Sequence, residues 1–138
     1  MERATPQCLL VTPFGGEYRE IREVIAQTLL EIGVRPILAE KMASEGQIIE
    51  TILRSIEQAD FIVADLTGNN PNVMYEIGYA QALRKPLLLI IQQDSGRLPV
   101  DMSGHLFLVY DPSHLGELQQ DIREWVSHYL ARRKELVA

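Results

Sequence analysis

Cysteine and tryptophan occur once each in 138 residues, and the longest apolar run is PLLLII at 86–91. The lone cysteine, Cys8, excludes an internal disulfide and has no metal-ligand spacing around it. Within CLLV at 8–11 it reads as a buried strand thiol, which fits a reducing cytoplasm. A bilayer span needs about 20 apolar residues, and the opening MERATPQ is polar rather than signal-like. No membrane partner is expected, and the chain reads as soluble and cytoplasmic. Basic charge is also short: 13 Lys and Arg face 19 Asp and Glu, for a net charge of −6. That balance excludes a general affinity for nucleic acid phosphates. The one basic cluster, ARRKE at 131–135, complements the end of a helix dipole. Repeats and low-complexity stretches are absent, so one domain spanning 1–138 is expected. The three histidines, His105, His114 and His128, form no pair at helical spacing and no HExxH. No metal and no bound cofactor are therefore expected, and there is no GxSxG.

What the chain does have is a regular alternation of short apolar runs with helical periodicity. QCLLVT at 7–12 is apolar throughout and ends at Pro13, as a central strand would. Ile21, Val24, Ile25, Thr28, Leu29 and Ile32 then mark one face of a helix over 18–32. Gly33 stands where a helix end favours positive φ. VRPILA at 34–39 reads as a second strand, with Pro36 suited to an edge. Ile48, Ile49, Ile52, Leu53 and Ile56 stripe a second helix, and DFIVADL at 60–66 is a third strand. Asn70 as N-cap and Pro71 as first residue open a helix that runs to about Arg84. PLLLII and HLFLVY at 105–110 supply the last two strands. A final helix from Ser113 buries Leu118, Ile122, Trp125, Val126 and Tyr129.

Five strands and four helices in this order predict a doubly wound, flavodoxin-like α/β fold with a parallel sheet ordered 2-1-3-4-5. Its binding crevice should lie at the carboxyl ends of the first and third strands. TPFGGEY at 12–18 and DLTGNNPN at 65–72 land there. Glu76 follows in the first turns of the third helix, with Val73, Ile77 and Ala80 on the same side. It is either a solvated helix residue or a reacting carboxylate. Burial would raise its pKa and the helix N-terminus would lower it, and the expected outcome is an ionised group. Gly78 leaves room for close helix–strand packing or for a ligand.

Other residues of these loops also read two ways. Asp65 either caps the loop through the amides of Thr67 and Gly68 or holds sugar hydroxyls. Asn70 and Asn72 suit turns and caps, and equally a ribose or a base edge. Gly15 and Gly16 would let backbone approach a phosphate, although FGGEY lacks the spacing of the standard glycine-rich phosphate loops. Phe14, Tyr75 and Tyr79 are candidates either for stacking on a base or for rim packing.

The stretch ADFIVADLTGNNPNVMYEIGYAQALRKPLLLI at 59–90 resembles the nucleoside 2-deoxyribosyltransferase-like superfamily, whose short members carry ADLT..NPNV.YE.G.A.A..KP. VTPFGGEY at 11–18 and SEGQIIETILRSIEQAD at 44–60 look like the same group, and the fold is similar to that of TIR domains. The resemblance implies cleavage or transfer of an N-glycosidic bond in a nucleoside, a nucleotide or NAD, the last as substrate. It assigns Glu76 the catalytic role at the anomeric carbon. Asp65, Asn70, Asn72, Phe14, Gly15, Gly16 and Tyr75 would line the substrate, and a homo-oligomer is implied. One position departs from the pattern. Ile52 stands where the superfamily's well-studied enzymes carry an aspartate that assists the leaving base. That leaves room for a leaving group that needs no protonation, or for a module that only binds a nucleotide.

Overall fold

A computed structural model describes residues 5–13, 15–39, 49–94 and 107–137. The strands are β1 (Gln7–Val11), β2 (Arg35–Leu38), β3 (Phe61–Asp65), β4 (Leu87–Gln92) and β5 (Leu108–Tyr110). The helices are α1 (Arg19–Glu31), α2 (Ile49–Gln58), α3 (Pro71–Ala82) and α4 (Leu115–Val137), with 3-10 turns at Gly16–Tyr18 and Thr67–Asn69. All strand pairs are parallel and the order is β2-β1-β3-β4-β5. The predicted architecture is therefore the one observed.

Strand alternation fixes which helices each face receives. Cys8, Leu10, Val63 and Ile90 share one core with Ile25 of α1 and Ile122 of α4. Leu9, Ile62, Ala64 and Leu89 share the other with Ile56 of α2 and Ile77 of α3. Both faces are covered, which is why the central strands are apolar along their whole length. Pro36 lies on the outer strand β2, paired with Cys8, where its missing N–H is tolerated.

Most helix ends follow local rules. Gly33 takes φ +82° after α1, a backbone state that glycine enters without steric cost. The Asn70 side chain accepts from the amides of Asn72 (2.9 Å) and Val73 (3.3 Å), with Pro71 beginning α3. A cap of this kind contributes about 1 kcal/mol.

Three expectations need correction. The final helix starts at Leu115, because Asp111 accepts from the Ser113 amide at 2.9 Å and the Ser113 hydroxyl at 2.6 Å and holds that segment as a turn. Ile49 is half exposed at the start of α2, since the first turn lies beyond the end of the buried stripe that Ile52 and Ile56 form. Trp125 and Tyr129 are only partly buried. Ile48 and the first two residues of HLFLVY, His105 and Leu106, lie outside the described residues.

Among the described residues, no helix is long and apolar enough to cross a membrane.

Candidate active site

The carboxyl ends of β1 and β3 are adjacent, since Val11 pairs with Ala64. Two loops rise there, one following Pro13 and one from Leu66 to Asn70. They meet where Tyr18 crosses Gly68: a Cβ on Gly68 would stand 3.3 Å from the Tyr18 hydroxyl, and Gly68 has φ +79°. A side chain at position 68 would be strained by its backbone as well as crowded.

Glu76 is buried in α3 together with Val73, Ile77 and Ala80. This is the i−3, i+1, i+4 pattern that the sequence suggests. It is only 7% exposed. Among the described residues, no hydrogen bond or ion pair reaches its carboxyl group. Desolvation consequently prevails over the helix N-terminus, and the pKa is pushed up to about 7. The expectation of a fully ionised carboxylate is thus overturned. Near neutral pH this group is divided between its acid and its anion, the state suited to general acid–base or nucleophilic work.

Asp65 is fully buried and points to the opposite side of β3, toward α1 and α4. One of its oxygens accepts from the Thr67 amide at 2.9 Å and from the Thr67 hydroxyl at 2.6 Å. The other accepts from the Tyr110 hydroxyl. Thr67 Oγ1 in turn accepts from the Gln92 amide at 3.0 Å. One carboxyl group therefore ties the ends of β3, β4 and β5 to the turn that leads into α3. Burial raises the pKa of Asp65, the three donors pull against that rise, and burial wins. The same burial, with the Asp65 charge beside it, pushes Tyr110 upward. Of the two readings of Asp65, loop capping is the one seen. Thr67 supplies the amide, and Tyr110 takes the place foreseen for Gly68. With both oxygens engaged and no exposed surface, Asp65 acts here as a positioning group.

Two buried polar residues beside the first loop carry no motif signal, and one of them, Arg22, holds that loop. Arg22, only 8% exposed on α1, donates to the carbonyls of Pro13 (3.0 Å) and Gly15 (3.4 Å). Its signal was available, because it stands three and seven residues before the buried Ile25 and Leu29. Thr12 is buried at the end of β1, and its hydroxyl has no hydrogen-bond partner among the described residues.

Gly15 has φ +121°, and Gly16 is exposed with open space where a side chain would lie. Asn72 is exposed and Tyr75 is 58% exposed. The Tyr79 hydroxyl donates to Glu57. Gly78 is exposed with open space where a side chain would lie, so close helix–strand packing is not seen there. Phe14 lies outside the described residues. Ile52 is 5% exposed in the core, which leaves no acid at that position. Among the described residues, no group of three or more His, Cys, Asp or Glu could hold a metal ion.

Comparison with known proteins agrees with this fold. A 5-hydroxymethyl-dUMP N-hydrolase from Rattus norvegicus is 29% identical over 120 residues, covering 83% of this chain and 73% of the relative. The solved structure of a CMP N-glycosidase from Clostridium botulinum superposes with a TM-score of 0.62 at 20% identity, covering 85% of this chain and 98% of that one. A TIR domain of a Toll-related receptor from Hydra magnipapillata shares the fold, with a TM-score of 0.61 at 14% identity over 84% of this chain and 97% of its own. The family model described as nucleoside 2-deoxyribosyltransferase matches residues 16–112. With its motif, its sheet order and its buried helix glutamate in place, the chain belongs to the nucleoside 2-deoxyribosyltransferase family.

Proposed function

We propose that this chain hydrolyses the N-glycosidic bond of a nucleoside 5′-monophosphate, with Glu76 acting at C1′. The observation that carries the reading is the carboxyl group of Glu76, buried on the helix that follows the β3 loop, with its pKa near 7. Family membership and the two nucleotide-cleaving relatives supply the bond and the phosphate.

Cleavage of such a bond passes through a sugar cation of oxocarbenium character, which a carboxylate beneath C1′ stabilises. The bonding pair leaves with the base nitrogen. Glu76 then either bonds C1′, in an ester that water cleaves by adding at C1′ and returning the bonding pair to the carboxylate, or shields C1′ until water adds; in both cases sugar 5-phosphate is released and the proton lost by water goes to solvent or to the departed base. Because only the anion serves this step, kcat/KM should rise with pH through about 7 and level off above it. In this reading the exposed backbone of Gly15 and Gly16 seats the phosphate, and the exposed Asn72 and Tyr75 meet sugar and base. Asp65 holds the turn that aims α3.

The buried Ile52 favours a second reading, a module that binds a nucleotide without cleaving it. One incubation separates the two. Pure protein is mixed with nucleoside and deoxynucleoside 5′-monophosphates, the free nucleosides and NAD, and free base is followed by chromatography. Release from a monophosphate, absent in Glu76→Gln, is the expected result. Saturable binding of a monophosphate with no product from any compound would establish the module instead. Equal release by native protein and Glu76→Gln would remove Glu76 from the reaction.

A further inference from the structure

At the amino-terminal edge of the sheet, away from the crevice, a cavity of about 470 Å³ is lined by Pro86, Trp125, His128, Tyr129, Arg132 and Arg133. Its size falls within the range of about 300–1,000 Å³ common to small-molecule sites. The aromatic wall is firmly built. Tyr129 packs on the buried Phe61 at 5.0 Å between ring centroids, and Trp125 does so at 5.6 Å. The rings of Trp125 and Tyr129 stack at 5.8 Å with 10° between their planes. These contacts bury one side of each ring and leave the remainder to the cavity, which explains why neither residue is fully enclosed.

The polar frame is equally fixed. Asp60 accepts from the Gln7 amide at 2.7 Å and pairs with Arg133 at 3.1 Å. The Tyr129 hydroxyl donates to the Asp60 carbonyl at 3.0 Å. Arg133 is thereby oriented, and Asp60 balances one positive charge. Arg132 has no partner among the described residues, and the lining contains no acidic side chain. In a chain of net charge −6 this is a local reversal of sign.

A flat aromatic wall beside an unbalanced guanidinium selects a planar ring that bears an anion. We propose that this cavity binds an aromatic phosphate, as a second ligand site separate from Glu76 and independent of the reaction proposed for it. A nucleotide and a simple aryl phosphate share that chemistry.

Trp125 is the only tryptophan in the chain, so its fluorescence reports on this wall alone. The full chain is titrated with phenyl phosphate and with the carbocyclic analogue of adenosine 5′-monophosphate, which has no glycosidic bond to cleave. Adenosine and inorganic phosphate are run beside them. A saturable change with either aromatic phosphate, at least about tenfold tighter than with adenosine or phosphate, is expected, and the tighter of the two names the source. Arg132→Glu, at an exposed position, should weaken that binding about tenfold or more while leaving the circular dichroism unchanged. The proposal fails if neither aromatic phosphate saturates, if inorganic phosphate binds as well, or if Arg132→Glu leaves the midpoint where it was.

Discussion

Glu76→Gln is expected to abolish base release, by about 10³-fold or more, while making the folded chain more stable at pH 8. The amide keeps the size of the side chain and removes the one charge that can meet an oxocarbenium ion, and losses of this order accompany removal of a nucleophile or of an equivalent carboxylate. The stability gain has a separate origin. Folding raises the Glu76 pKa from 4.5 to about 7, so the folded state holds this proton more tightly than the unfolded state does. The stability that comes from the proton is complete below about pH 4.5, is lost as pH rises, and is gone once pH has passed about 7. Above that, burial of the anion costs about 3 kcal/mol, and the amide escapes the cost. Urea unfolding of both proteins at several pH values checks this. Their curves should coincide near pH 4 and separate by about 2–3 kcal/mol at pH 8. A constant offset across the range would mean that Glu76 is solvated, and a fully active variant would mean that it is idle.

Asp65→Ala should cost about 3–5 kcal/mol, a large share of the roughly 5–15 kcal/mol that holds a domain of this size. The substitution strands the Thr67 amide, the Thr67 hydroxyl and the Tyr110 hydroxyl. A buried donor left unsatisfied costs about 1–3 kcal/mol. Asp65→Asn keeps an acceptor for Thr67 and should lose about half as much. Because Asp65 fixes the turn before α3, the alanine variant should also lose base release in conditions where circular dichroism shows it still folded. Chemical denaturation combined with that assay tests both claims. A loss below about 1 kcal/mol would show that the three donors find other partners.

Much of this arrangement was legible in the residues. The sheet order follows from strand and helix alternation, and Gly33, Asn70 and Pro71 mark helix ends by local chemistry that needs no tertiary information. The buried side of α3 could be read from Val73, Ile77 and Ala80, and Glu76 came with it. What escaped depended on distance along the chain or on depth. Tyr110 meets Asp65 across 45 residues, and no local pattern announces that pairing. The protonation of Glu76 turned on how completely it is desolvated, a quantity that periodicity does not contain. Arg22 was hidden by the habit of assigning charge to solvent, although its spacing matched the apolar stripe. Its guanidinium is buried because the loop carbonyls of Pro13 and Gly15 turn inward to receive it.

Cys8 lies in β1 with a neighbouring strand on either side, is wholly inaccessible, and has its thiol pushed far up by burial. A thiol reagent needs both contact and a thiolate, and the native chain offers neither. Modification must wait until β1 parts from its neighbours. The chain thus carries its own clock: the rate at which this single sulfur is labelled counts the openings of β1, undisturbed by motion in the exposed loops.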